Sequence, residues 1–397
     1  MIRVLFVDDE ARILDGIRRS MDCMRDEWRM RFASSGSGAL QELTIEPADV
    51  VVSGMRMPDM DGSELLSEVM RLYPETVRVI LSGQSEPESI VRATRTAHQY
   101  LTKPCDAQTL ESAISRTKAL RAQLSSDALA AIVGGVDALP SPPKAYQELL
   151  TRLRDPASKI TNVVDIIRRD VSMTAKVVKL ANSGFFATRG PVQTLERAVG
   201  LVGLDAISTL VLGQELFGGT RPVTLPGFSV ERLGQHSFET AAWARAVALH
   251  ENLPSSLADA AFLAGVLHDL GRLVLATRAP PTAPHSPAEW LRETRAQMEG
   301  YHAEVGGYLL GLWGFPDAIV EAIVWHHTPS RCGDGSLGLC DLVHIGDRLA
   351  HEREQRRPEQ SADSTETDYL EALGLADRWP DWQASGPKLE AVAASAK

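Results

Sequence analysis

Five short apolar runs, each followed by a stretch with helical spacing, occupy roughly the first 120 residues, and this alternation restricts the fold more than any other feature of the chain. Residues 2–7, IRVLFV, lead into Ile13, Ile17 and Met21. The pattern repeats with Arg29 to Ala33 then Gly38 to Leu43, Asp49 to Val52 then Ser63 to Leu72, and Val77 to Leu81 then Pro87 to Thr96. Gln99 to Thr102 precedes a last helix from Asp106, which is expected to continue through Arg121 toward Ile132. Strands that alternate with helices predict a five-stranded parallel sheet covered on both faces, with the functional crevice at the carboxyl ends of the strands. Those ends carry Asp8, Asp9, Gly54, Ser82 and Lys103.

The pattern then changes. Gly134 and Gly135 followed by Leu139-Pro140-Ser141-Pro142-Pro143 break the periodicity and mark a boundary. From Lys144 to Leu216 the spacing is helical throughout, as in an all-α bundle. The expected organisation is an α/β domain over 1–120, a helical linker over 121–137, an all-α domain over 138–350 and a partly flexible extension over 351–397. Within that extension the Glu and Arg run from Glu352 to Arg357 reads as a solvated helix end. Residues 358–367 read as a flexible connection, and LEALGLADRWPDW as one short helix before a frayed tail.

Inside the second domain, His268 and Asp269 interrupt the apolar stretch AFLAGVLHDLGRL, both on the side of its buried stripe. Burying them without partners is costly. His236, His302, His326, His327 and Asp347 lie on apolar stripes of four further helical segments. One such histidine is ordinary, but imidazoles and carboxylates gathered on inward faces form the ligand set suited to Fe, Mn or Zn. A hydrogen-bonded polar core that fixes helix register is the alternative reading.

Several motifs resemble known families. VDDE, SGMRMPDMDG, LSG and YLTKP make the first 120 residues similar to the receiver domain of response regulators, which implies the flavodoxin-like strand order 2-1-3-4-5. By that resemblance Asp8 and Asp9 correspond to a Mg²⁺-binding acidic pair, Ser82 and Lys103 contact the phosphoryl group, and Tyr100 is the aromatic switch. The phosphorylated Asp is replaced by Gly54, which has no side chain to form an acylphosphate or to complete a Mg²⁺ site. Asp59 and Asp61 are nearby carboxylates whose expected role is turn formation.

DVSMTAKVVKLANSGFF, PVQTLERAVGLVGLDAIS and the LPSPP segment resemble the HDOD family of signalling domains over about 137–350. The order His236, His268-Asp269, His302, His326-His327, Asp347 is similar to that of the HD superfamily, including its HD-GYP phosphodiesterases. That resemblance implies that His236, His268, Asp269 and Asp347 hold one transition-metal ion, and that His302, His326 and His327 serve a second. Arg272 stands where the motif has Lys, no GYP signature follows His327, and Arg232 occupies a place where binuclear members carry an acidic ligand.

The expectation is therefore a two-component-type signalling protein, with a degenerate receiver coupled to an HDOD module that acts through protein partners or a nucleotide second messenger. The alternative is a metal-dependent phosphodiesterase acting on a cyclic dinucleotide such as cyclic-di-GMP. A receiver-type homodimer is the expected assembly. Net charge of −11 argues against a broad nucleic-acid footprint. The absence of a long apolar run predicts a cytoplasmic protein without membrane contact. Cys23, Cys105, Cys332 and Cys340 form no CxxC pair, and four unpaired thiols in a reducing compartment are expected.

Overall fold

In a computed structural model of the chain, the described residues are 1–83, 96–136, 139, 143–153, 159–182, 192–204, 207, 225–277, 287–332, 336–355 and 367–386. The first half is a parallel sheet of β1 (Ile2–Val7), β2 (Trp28–Ala33), β3 (Val50–Gly54), β4 (Val77–Ser82) and β5 (Gln99–Thr102), in the order β2-β1-β3-β4-β5. Register pairs Val4 with Val50, Val50 with Val77, and Val79 with Gln99. Every residue of β3 and β4 is buried, as apolar runs without alternation require of strands covered on both faces. Helices α1 (Ala11–Ser20), α2 (Gly36–Ile45), α3 (Gly62–Leu72) and α4 (Ala107–Arg121) cover the sheet. The expected helix over 87–96 lies outside the described residues except for Thr96.

The last of these helices does not continue toward Ile132. Its hydrogen bonding ends beyond Arg121, and α5 (Asp127–Gly134) begins after Ser126, a residue with β-region dihedrals suited to starting a new helix. The break lets α5 turn back onto the sheet. Arg78, a buried guanidinium in the middle of β4, donates to Gly134 O (2.7 Å), Thr96 O (2.6 Å) and Thr76 O (3.1 Å). Burial pushes its pKa down to about 9.

The second half is helical. Helices α6 (Pro143–Leu153), α7 (Ile160–Ile167), α8 (Val171–Ala181) and α9 (Leu195–Val202) precede α10 (Val230–His250), α11 (Ser255–Leu267), α12 (Leu270–Ala276), α13 (Pro287–Leu312), α14 (Asp317–Val324) and α15 (Leu339–Gln355). Gly314, at φ +77°, turns the chain between α13 and α14 while Phe315 fills the core. Ser183 and the rest of the NSGFF string lie outside the described residues. One apolar core runs from the receiver sheet into these helices.

A smaller core around Trp243, Val247, Leu342 and Leu349 is closed by the C-terminal segment. There the structure departs from the expectation of one short helix, while residues 387–397 of the expected frayed tail lie outside the described residues. Two helices form, α16 (Thr367–Ala372) and α17 (Trp379–Ala384). Trp382 is buried and donates its indole N–H to Glu251 (2.8 Å). The 358–366 connection lies outside the described residues. The expectation of four free thiols is also corrected, because Cys332 and Cys340 are joined by a disulfide with Cα atoms 6.3 Å apart, while Cys23 and Cys105 are free. No helix among the described residues is long and apolar enough to cross a membrane.

Candidate metal centre

Five helical segments deliver the polar residues to one buried point. On α10, capped by the Ser229 hydroxyl, the row Leu233, His236, Thr240, Trp243 and Val247 faces inward. Helix α11 ends at Leu267 and α12 starts at Leu270, so the continuous apolar helix expected through His268 and Asp269 is interrupted there. Asp269 has ψ 12°, and the turn aims both polar side chains into the space between helices instead of along one face. Helix α13 contributes His302, the end of α14 leads to His326 and His327, and α15 contributes Asp347. All seven sequence-selected residues converge.

Hydrogen bonds fix the tautomers. Nδ1 of His268 donates to Gly265 O (2.7 Å), that of His302 to Met298 O (2.6 Å) and that of His326 to Ile323 O (2.7 Å). In the neutral rings this leaves each Nε2 as a bare lone pair. Those of His302 and His326 lie 3.4 Å apart, and His327 Nε2, 2.9 Å from His302 Nε2, is placed to donate to it. His268 Nε2 is buried without a hydrogen-bond partner among the described residues. Backbone carbonyls holding Nδ1 while Nε2 atoms converge is the outer-shell arrangement of metal-ligating histidines.

The charges agree with this arrangement. Burial holds the His302 pKa down at about 4 and those of His326 and His327 at about 3, so all three are neutral at physiological pH. Burial opposes ionisation of Asp269 and Asp347. The surrounding His268, Arg272 and His302 outweigh it for Asp269, and hydrogen bonds from His236 and His351 outweigh it for Asp347, so both carboxyls stay well below the usual range. Asp269 Oδ1 is 2.8 Å from Arg272 Nε and 3.3 Å from His302 Nε2. Asp347 Oδ1 is 2.9 Å from His236 Nε2 and 3.5 Å from His268 Nε2. Three imidazoles held neutral beside two ionised carboxylates, with the orphaned Nε2 of His268 among them, fit a divalent transition metal.

Three residues here were not singled out in the sequence. His351 Nδ1 lies 3.0 Å from Asp347 Oδ1, and Glu354 Oε1 lies 3.4 Å from His236 Nδ1. Both follow Asp347 at i+4 and i+7, a spacing that places them on its face. The solvated reading of Glu352 to Arg357 is thereby corrected at Glu354, which is half-buried against the cluster. His344, also buried, donates from Nδ1 to His326 O (2.7 Å).

At the carboxyl ends of the strands the receiver residues also assemble. Lys103 Nζ pairs with Asp8 Oδ2 at 2.5 Å, and the backbone N–H of Lys103 donates to Ser82 O. Gly54 closes β3 beneath this pair, where an added Cβ would stand 2.8 Å from Asp8 Oδ2. The Asp8 carboxylate thus occupies space that an acceptor side chain needs. Asp9 is exposed, and Tyr100 is buried on β5. Asp59 accepts from the Ser37 hydroxyl (2.8 Å), and Asp61 forms a capping box with Glu64 at the start of α3.

Residues 4–115 match the response regulator receiver domain and residues 139–329 match the HDOD domain, so a receiver domain is followed by an HDOD domain in this chain. Asp347 and His351 lie beyond the matched HDOD span. Among curated relatives, the hydrogenase transcriptional regulatory protein HoxA of Cupriavidus necator is 39% identical over 103 residues, 25% of this chain and 21% of that protein. The chain therefore spans about a fifth of that relative. An uncharacterised protein of Treponema pallidum is 24% identical over 207 residues, 50% of this chain and 39% of that protein. The solved signal receiver domain of an HD domain-containing protein from Pseudomonas fluorescens Pf-5 is 32% identical, covering 28% of this chain and 87% of that one, with a TM-score of 0.26.

Proposed function

We propose that this protein signals without phosphorylation at position 54, through an HDOD module that holds divalent transition-metal ions and binds a partner protein or a nucleotide second messenger. The observation that carries the reading is the convergence of three backbone-anchored histidine Nε2 atoms on two ionised carboxylates. His236, His268, Asp269 and Asp347 would hold one ion, and His302, His326 and His327 a second. Arg272 keeps Asp269 ionised and oriented through its 2.8 Å bond. Protein purified without chelator should carry at least one equivalent of iron, manganese or zinc by elemental analysis. A content below about a tenth of an equivalent removes the metal reading, since ligands poised in this way bind far more tightly.

The same cluster favours a second reading, hydrolysis of a cyclic dinucleotide. An ion held there would act as a Lewis acid toward a phosphoryl oxygen. The chain's own part would be to orient that ion through Asp269 and Asp347 and to keep His302, His326 and His327 neutral by burial. Metal-dependent turnover of cyclic-di-GMP that vanishes in Asp269→Ala would select this reading over binding alone.

A further inference from the structure

We infer that His351 is a metal ligand, forming with His236 and Asp347 a two-histidine, one-carboxylate set at the outer rim of the cluster, separate from the inner set of His302, His326 and His327. The inference rests on the metal reading proposed above and adds a residue that the family resemblance does not supply.

Three observations lead to it. A ring nitrogen of His351, one of His236 and a carboxylate oxygen of Asp347 all lie within 4.8 Å of one another, the span that the coordination sphere of a single ion requires. Asp347 Oδ1 already has three imidazole nitrogens around it, from His236 at 2.9 Å, His351 at 3.0 Å and His268 at 3.5 Å. One carboxylate oxygen is a poor sink for three rings, whereas a cation beside it satisfies all of them. Finally, the His236 ring stands between two carboxylates, with Nε2 toward Asp347 and Nδ1 toward Glu354 at 3.4 Å. That is the carboxylate–histidine–metal relay in which an outer carboxylate orients the ligating ring. Glu354 is thus a positioning residue for His236, as backbone carbonyls are for His268, His302 and His326.

The two sets differ in access. The His302 side chain is 1% exposed, that of His351 47%. With His351 at its outer edge, the rim set faces solvent. The rim ion is therefore the exchangeable one and the place where an external oxygen ligand can bind. An acidic residue is absent at Arg232, where related binuclear sites carry one. Glu354 and His351 bring the compensating donors from α15 instead of α10.

The test is Mn²⁺ titration of the full chain after chelation, read by calorimetry and by the EPR signal of free Mn²⁺. Wild type should bind two equivalents. His351→Ala should lose at least about tenfold in affinity for one equivalent and keep the other unchanged, and His351→Asp, which restores an oxygen donor, should recover most of the loss. Wild-type affinity for both ions in His351→Ala overturns the assignment while leaving the metal centre intact. Loss of both ions from a His351→Ala chain with wild-type circular dichroism also overturns it, because His351 would then be a prop for the whole cluster. Absence of Mn²⁺ binding in wild type, with Zn²⁺ and Fe²⁺ equally absent, overturns both this inference and the reading beneath it.

Discussion

His302, His326 and His327 are residues whose protonation works against the fold. Their pKa values, near 4, 3 and 3, lie below the unfolded value of about 6.5. As pH falls from about 6.5 toward 4 the unfolded chain takes up protons that the folded chain refuses, so their contribution is complete above 6.5 and lost on acidification. His236 has the opposite sign. Burial lowers its pKa, but hydrogen bonds to Asp347 and Glu354 raise it to about 10, so its contribution is complete below about 6.5 and lost only as pH rises toward 10. In EDTA the urea midpoint is expected to drop steadily between about pH 7 and 5; a flat midpoint would show that the three rings titrate normally. The cluster was legible because each of the seven residues breaks an apolar stripe. His351 and Glu354 were hidden for a physical reason: they sit on the same row as Asp347, but in a segment so rich in Glu and Arg that no stripe surrounds them to be broken.

Among the elements, the helix crossings bring the site together. A Cβ on Gly271 would stand 1.9 Å from His302 O, and one on Gly346 would stand 2.6 Å from Thr240 O. The backbones of α12 and α13, and of α15 and α10, therefore touch within two residues of Asp269 and one of Asp347. Gly271→Ala should cost about 3 kcal/mol, the upper end for overpacking, because its neighbour is backbone and cannot rotate away. Thermal unfolding should show the loss, and metal content should fall with it, since His302 is what the new methyl displaces. The sheet was readable because each strand is local in sequence, with a two-residue period suppressed by burial on both faces. The break between α4 and α5 was not, because Leu110, Ile114, Thr117 and Leu124 keep a helical stripe across it while the chain bends to satisfy Arg78.

At the scale of the molecule, the receiver rests on the HDOD domain through α4. Arg116 donates to Phe315 O at 2.5 Å and pairs with Asp317 at 2.6 Å, and Ser125 N–H donates to Glu304 (3.0 Å). Lys179 reaches Ala97 O (3.0 Å) from the other side and lies 4.5 Å from the centre of the Trp313 ring. Asp317 is too exposed for its ion pair to count for much, so Arg116→Ala should cost about 1 to 2 kcal/mol, chiefly through the bond to a carbonyl. Hydrogen exchange along residues 107–121 should rise accordingly; unchanged protection there would mean that the contact carries no weight. On the same helix, Leu120 packs on Gly311, so this face of α4 is taken up within the chain. Nothing in the sequence marks such a seam, because it joins residues from opposite ends of the chain.

Helix α13 touches the receiver at Gly311 and carries His302, about 13 Å away along the same rod. A helix does not stretch, and a packed interior does not absorb displacement. A displacement of the receiver that carried α13 with it would move a ring nitrogen of the cluster, as one end of a lever moves the other. Ion occupancy in the second domain would then act as a gauge of how tightly the first is seated.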